Sequence, residues 1–305
     1  MATKEIREFS LIGFSRKFSD ENDCRERLFH MRWSNGFVCP RCGGTKYYAV
    51  STRRTLECKE CKHQTSLTAG TIMHKTRTDL LFWFWIIYLV CTDKRGVSAS
   101  YISRHIGIGY KTAWLILHKI RKAMQDRDSM YKLRGIIEMD ETFIGSPSEG
   151  NDKRGRGSEK AKVIISVSVK NESVYYANMN IIDSVNKENI KVVLNDNVEK
   201  NQIIKTDGWR AYKICKESGH THFVSVISNT KEKAHNLFKW VHILAENVKA
   251  FIEGTYHGIG QKHLQSYLDE FCYRFNRRLF GDQMFDRLLK AAVLSEGITY
   301  PELKG

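Results

Sequence analysis

Two sets of side chains in this sequence have the types and spacing to hold metal ions. The first is four thiols: Cys39-Pro-Arg-Cys42 and, after fifteen residues, Cys58-Lys-Glu-Cys61. Two C-x2-C knuckles at this separation let four thiolates converge tetrahedrally on one structural zinc. The residues between them, Tyr47 to Leu56, predict a small hairpin. So short a segment cannot bury a core, so the metal supplies its folding free energy. A redox role is disfavoured, because two pairs stand together with no thioredoxin-like βαβ pattern around them. His63 is surplus to a complete four-cysteine site.

The second set is carboxylates on strands. In Gly135-Ile-Ile-Glu-Met-Asp-Glu-Thr-Phe-Ile-Gly145, period-two alternation puts Ile137, Met139, Glu141 and Phe143 on one face. Ile136, Glu138, Asp140 and Thr142 take the other. An acid held where a core residue belongs is costly unless paired or bound to a cation, so Asp140 is a candidate ligand. Taken alone, the stretch also fits an edge strand with a solvated acidic face. In Gln202-Ile-Ile-Lys-Thr-Asp207-Gly-Trp, a short apolar strand ends in an acid ahead of a turn, a position where open α/β sheets build their sites. Asp207 is the second candidate, and its structural alternative is a helix N-cap.

The elements that position these residues read as follows. Residues 19–33 predict an entry helix ended by Asn35-Gly36, and Thr78 to Cys91 an apolar helix. Ser98 caps a helix over Ala99 to His105, Gly107-Ile-Gly109 turns the chain, and a basic helix follows from Tyr110 to Met124. This is a helix-turn-helix pattern that would present Tyr110, Lys111 and His118 to DNA; a plain three-helix bundle with a solvated basic face is its alternative. Strands at Val163 to Val169 and Val174 to Ile181 continue the Asp140 strand as an antiparallel meander. A helix capped by Asp183-Ser184 then reaches Val198. The loop 146–162 between the first two strands carries Lys153, Arg154, Arg156 and Lys160, suited to clamping phosphates.

From Asn236 to Glu253, the residues Leu237, Val241, Leu244, Val248, Phe251 and Ile252 form one helical stripe. Asn247 lies at its margin, whereas Glu246 points almost directly away, on the outer face with His242, Lys249 and Glu253. An aromatic helix from His263 to Arg278 buries Leu264, Tyr267, Leu268 and Phe271. Its Arg274, Arg277 and Arg278 either touch DNA or neutralise nearby acids. A last helix, Phe285 to Leu294, precedes a frayed tail.

Charge supports a division of labour. Of the net +15, residues 1–134 hold a surplus of 13, with 25 Lys or Arg against 12 Asp or Glu. A basic front half points to a polyanion such as nucleic acid. No apolar run approaches the length of a membrane span, and the first residues lack the apolar segment of a signal peptide, so the cytoplasm, with nucleoid association, is expected.

The zinc knuckles, the helix-turn-helix, Glu138-Met-Asp140-Glu-Thr, Thr206-Asp207-Gly-Trp and the run from Gly254-Thr-Tyr-His-Gly258 through Leu268-Asp-Glu-Phe-Cys-Tyr-Arg-Phe-Asn-Arg-Arg278 together resemble bacterial insertion-sequence transposases of the ISXO-like, Merlin-related group. The resemblance runs from about residue 19 to 290. It implies an α+β multidomain chain: an N-terminal helical segment (1–35), zinc ribbon (36–75), helix-turn-helix (76–130) and an RNase H-like catalytic domain (131–305) with a mixed sheet flanked by helices. It further implies Asp140 on the first catalytic strand, Asp207 on the fourth, and a third ligand, Glu or Asn, five residues after His242. That position is Asn247, with Glu246 as fallback. Catalytic Mg²⁺ or Mn²⁺, double-stranded DNA with terminal inverted repeats, and a homo-oligomer on paired ends are implied in the same way. The rivals are a zinc-ribbon DNA-binding regulator without catalysis, and an RNase H-like nuclease that cuts without joining.

Overall fold

The computed structural model describes residues 9–145, 160–225, 238–257 and 259–304. The chain forms two compact units, residues 1–124 with 280–305, and residues 125–279.

In the first unit, α1 (Leu11–Lys17) and α2 (Glu21–Arg32) precede a three-stranded antiparallel sheet of β1 (Tyr47–Val50), β2 (Thr55–Cys58) and β3 (Gln64–Ser66). The expected hairpin thus gains a third strand. α2 starts in a capping box: Asp20 accepts from the N–H of Asn22 and Asp23, while the Asp23 carboxylate reaches back to the Asp20 N–H. α3 (Leu80–Thr92), α4 (Ala99–Ile106, capped by Ser98) and α5 (Tyr110–Asp128) follow. Gly107 closes α4 in the left-handed region at φ 79°, a conformation that favours glycine, and turns the chain into α5.

The C-terminal α10 (Met284–Leu294) also belongs to this unit. Assigned by sequence to the catalytic domain, residues 280–305 pack instead on α2 and α3. Phe285 meets the rings of Phe14, Phe18 and Phe84 at 5.1–5.6 Å, and Arg27 pairs with Asp286. The tail expected to fray carries a short helix, α11 (Tyr300–Lys304).

The second unit is a mixed sheet between helices. Its strands are β4 (Ile136–Ile144), β5 (Ala161–Lys170), β6 (Ser173–Ile182), β7 (Ile203–Thr206) and β8 (Thr221–Val224), in the order β6-β5-β4-β7-β8. β5 is antiparallel to both neighbours, whereas β4, β7 and β8 run parallel. The meander is as expected, and β4 is central, which removes the edge-strand reading of the Asp140 stretch. α6 (Lys187–Asn197) and α7 (Ile214–Glu217) cover one face; α8 (Lys239–Tyr256) and α9 (Gln261–Asn276) cover the other. The α6 cap is Asn186, which accepts from Asn189 N–H, rather than Asp183-Ser184. Ser184 instead accepts from the Asn189 side chain through its carbonyl.

Alternation decides which layer each β4 residue meets. Ile137 and Met139 join the α6 core, while Ile144 joins the α8–α9 core with Val163, Ile165 and Val167 of β5. Even-numbered β4 residues, Asp140 among them, therefore face the α8 layer. On α8 the buried stripe is Val241, Leu244, Ala245, Val248, Phe251 and Ile252, as the periodicity predicted. This is an α+β chain in which a small cysteine-bearing sheet and a set of helices precede a mixed five-stranded sheet flanked by helices.

Candidate active site

The four cysteines form a closed cluster, with each pair of Sγ atoms within 4.8 Å. Cys39 to Cys61 and Cys42 to Cys58 both measure 3.6 Å. Tetrahedral Zn–S bonds of about 2.3 Å require S–S separations of about 3.8 Å, so the sulfurs fit a zinc ion. The two knuckles repeat one backbone device: Gly43 N–H donates to Cys39 O, and Lys62 N–H to Cys58 O, both donors at positive φ. Partial burial opposes ionisation of Cys39, yet N–H groups of Cys42 and Arg41 and the thiols of Cys61 and Cys42 bring it down to about 7. Cys42, despite the Gly44 N–H, is pushed up to about 12 by neighbouring thiols that cannot all ionise together. A divalent cation resolves that conflict. Phe29, Trp33, Phe37 and Tyr47 form a chain of ring contacts of 4.9–6.0 Å that ties the ribbon to α2.

The acidic site is assembled by strand register. β4 and β7 pair in parallel with Ile136 beside Ile203, Ile137 beside Ile204 and Glu138 beside Lys205. Asp140 lies two residues beyond the last pair on β4, and Asp207 directly follows the end of β7, so the two acids leave the paired segment in the same direction on neighbouring strands. Both carboxylates are oriented by main-chain donors: Asp140 Oδ1 accepts from Glu141 N–H at 2.9 Å and Asp207 Oδ1 from Trp209 N–H at 3.0 Å. Asp207 is thus held in a turn rather than serving as a cap, since the short 3-10 turn after it is capped by Trp209.

A third acid stands close by. Tyr212 donates to Glu141 Oε2 at 3.1 Å, and its phenol is pushed well above its ordinary pKa by burial and then by Glu141, Asp140 and Asp207. Three carboxylates within electrostatic reach of one hydroxyl concentrate negative potential, and oxygen donors of this kind suit a hard divalent cation. Glu141 leaves the opposite face of β4 from Asp140, and among the described residues the four cysteines, not these acids, are the group of three or more ligand side chains that converges closely enough to hold one ion.

Sequence reasoning did not single out Glu138, which links the strand to α8. It is 8% exposed and accepts from the N–H groups of Trp240 and Val241 at the start of that helix. Burial raises its pKa, while those donors and Lys205 oppose the rise. The signal was present in the alternation, which set Glu138 on the same face as Asp140.

The remaining sequence-derived residues divide clearly. On α8, Asn247 and Glu246 are both exposed, and Glu246 is tied to Lys249 at 2.9 Å. Tyr110 (55% exposed) and Lys111 open α5 facing solvent. His118 is corrected: two turns on, it is 2% exposed and packed on Trp114 at 4.1 Å, so it does not present itself to DNA. Arg277 is corrected too. It is buried against Asp128 and stacked on Tyr273 at 3.7 Å, which is the neutralising alternative rather than a DNA contact. Arg274 pairs with Glu270, and Arg278, on the surface, donates to the Phe275 and Val174 carbonyls. Lys153, Arg154 and Arg156 lie outside the described residues.

Comparison with known proteins fits this architecture. Residues 132–276 match the ISXO2-like transposase domain and residues 19–64 the transposase zinc-ribbon domain, together covering more than half of the chain. Residues 132–276 thus form a domain of the ISXO2-like transposase family. This transposase is also 22% identical, over 209 residues, to the "Uncharacterized protein in transposable element ISH50" of Halobacterium salinarum, spanning 64% of this chain and 70% of the relative.

Among solved structures, the transposase is similar to a pre-cleavage Mos1 transpososome, with 10% identity, coverage of 68% of this chain and 77% of that one, and a TM-score of 0.29. The Mos1 strand transfer complex gives 11% identity, 65% and 77% coverage, and a TM-score of 0.23. Likeness at this level carries no argument about the present chain. No helix among the described residues is long and apolar enough to cross a membrane.

Proposed function

We propose that this transposase binds the terminal inverted repeats of an insertion sequence and catalyses Mg²⁺- or Mn²⁺-dependent cleavage and strand transfer of DNA. The observation that supports this reading is the parallel β4–β7 pairing, with Asp140 two residues past its last pair and Asp207 just past the end of β7, together with the field of both acids at Tyr212. Asp140, Asp207 and Asn247 would hold the catalytic ions, with Glu246 as the alternative to Asn247. When bound, such ions activate the attacking oxygen and neutralise charge on the leaving oxygen.

The chain's own contribution is positional. Backbone N–H groups fix the two aspartates before any cation arrives, and Glu138 anchors the first turn of α8 to the strand that bears Asp140. Tyr212 holds Glu141 through its hydroxyl, whose ionisation is opposed first by burial and then by Glu141, Asp140 and Asp207.

Tyr110 and Lys111, at the exposed start of the second helix of the helix-turn-helix, are suited to base and phosphate contacts. Lys249, Arg274 and Arg278, with Lys153, Arg154 and Arg156, would add backbone contacts. Double-stranded DNA is the partner, a homo-oligomer on paired ends the working form, and the nucleoid of the cytoplasm the location. Cleavage and joining of a labelled transposon-end fragment with Mg²⁺, compared with Asp140→Ala, tests the reading. Absence of cutting by the unaltered protein would leave a DNA-binding regulator, and cutting without joining a nuclease.

A further inference from the structure

One pleat before Asp140, on the same face of the sheet, a recess of about 850 Å³ opens between the start of β4, the β5–β6 hairpin and the first turn of α8. Its size lies in the range of small-molecule and cofactor sites. Its lining is unlike the apolar core beside it: Lys170, Lys205, Lys239 and Arg134, the last paired with Glu199, supply four cations against the carboxylate of Glu172, and Tyr175 and Trp240 supply two aromatic rings. Glu138 also lines it. Although Glu138 is more than nine-tenths buried, its Oε2 has no hydrogen-bond partner among the described residues. A buried acceptor left unmatched is costly, so the oxygen is positioned for a donor that arrives with a ligand.

The position of Tyr175 is a second, independent feature. The β5–β6 register shifts between Ser168 and Val169, so that Ser168 pairs with Tyr176 and Val169 with Val174. Tyr175 is left over as the extra residue of a β-bulge, a device that re-aims a side chain at the expense of ladder pairing. The ring is 69% exposed at the recess rather than packed against a neighbouring strand.

Cations for phosphate, rings for stacking and a carboxylate oxygen awaiting an amino group form one combination of recognition chemistry. We infer that this recess receives a single unpaired nucleotide of the bound DNA, its base stacked on Tyr175 and its exocyclic amine donating to Glu138 Oε2. Lys170 and Lys205 hold the flanking phosphates. Base stacking on aromatic rings is tolerant of sequence, whereas a carboxylate acceptor favours cytosine, which offers an amine, over thymine, which offers a carbonyl. This rests on the proposal that DNA is the partner, and it adds that the duplex is opened by one nucleotide beside the reacting strand.

The test uses the full-length zinc-loaded protein, a short fluorescein-labelled duplex, and the same duplex carrying one unpaired cytosine or thymine, read by fluorescence anisotropy. The cytosine-bulged duplex should bind about five- to tenfold more tightly than the intact one. Tyr175→Ala and the double variant Lys170→Ala, Lys205→Ala should each erase that preference while leaving intact-duplex affinity within about threefold, allowing for general phosphate attraction. Glu138→Gln, which carries an amide donor as well as an acceptor, should keep the preference for a bulge but lose the preference for cytosine over thymine. Equal binding of bulged and intact duplexes overturns the inference and leaves the DNA reading standing. Failure to bind either duplex overturns both. If inorganic phosphate abolishes the bulge preference while intact-duplex binding persists, the recess is a simple anion site and the inference fails.

Discussion

The zinc ribbon and the central sheet solve the same problem, that of placing polar ligands rigidly, by opposite means. In the ribbon the strands are short and β1 is almost wholly exposed, so geometry comes from the ligands themselves and from two tight knuckles. In the sheet, β5 is buried along six consecutive residues, and the acids inherit their positions from a core that would exist without them. One site creates its fold, and the other is placed on a fold already formed. Metal removal should therefore unfold the first and leave the second standing.

That contrast yields the largest expected effect. Stripping zinc, or replacing Cys58 by Ser, should collapse the ribbon, since structural zinc supplies on the order of 10–16 kcal/mol in comparable small sites. Limited proteolysis should then cut within residues 36–66 while a fragment spanning the sheet persists. If the ribbon stays protected without metal, the aromatic chain Phe29–Trp33–Phe37–Tyr47 stabilises it more than the ion does.

Asp140→Ala should do the reverse. Cleavage should fall by about 10³-fold or more, the scale on which removal of one transition-state electrostatic stabiliser is felt, while the thermal midpoint barely changes. A large loss of stability in this variant would mean that the carboxylate is a structural group. It would then resemble the cysteines, and the contrast between the two regions would fail.

What was readable beforehand follows the same division. The zinc site was legible because its ligands sit in two local pairs whose spacing is itself the geometry. The α8 stripe and the alternation of β4 were legible because burial enforces their periods. That β4 and β7 run side by side, so that Asp140 and Asp207 follow neighbouring strand segments, needed a parallel pairing between segments more than sixty residues apart, which no local pattern encodes. The two corrected residues failed for a related reason. His118 and Arg277 are polar residues at helical positions that would ordinarily be solvated. His118 is buried against Trp114 one turn back on its own helix, and Arg277 by Asp128 across an ion pair of sequence separation 149. The role of residues 280–305 was hidden likewise, because an apolar stripe on α10 does not state which layer it will cover.

The sheet unit contains polar interactions that should respond as packing does. Arg277→Met leaves Asp128 buried beside Asn276 without its cation and should cost about 3–5 kcal/mol in urea unfolding. Adding Asp128→Leu should recover most of this, because an apolar pair avoids the desolvation that the ion pair requires. If the double variant is no more stable than the single one, the pair contributes more than neutralisation.

Asp269, on α9, gives a pH signature. Burial pushes its carboxyl up to about 7, with Gln265 opposing and Asp128 adding to the rise, and its Oδ2 is shielded from water. The folded state thus holds a proton that the unfolded chain releases near pH 4, so the stability this group allows is complete below that pH and declines as pH rises toward 7. The loss is at most about 4 kcal/mol, from a shift of about three units. Asp269→Asn should flatten the dependence, making the variant more stable than the parent at pH 8 and nearly equal at pH 4. An unchanged slope between those pH values would assign the titration to another group.

The smallest effect bears on the third ligand. Glu246 has a 76% exposed side chain, and its bond to Lys249 three residues on is of a kind worth about 0.5 kcal/mol or less. Glu246→Ala should therefore leave stability and cleavage nearly unchanged, whereas Asn247→Ala should abolish cleavage with DNA binding retained. The neighbouring positions differ by one step of about 100° around α8, and only Asn247 borders the stripe that packs on the sheet bearing Asp140. A silent Asn247→Ala together with an inactive Glu246→Ala would mean that α8 rotates by about that angle when DNA and metal bind. The buried stripe would then have to repack. That cost would make this helix, rather than the aspartate strands, the adaptable part of the site.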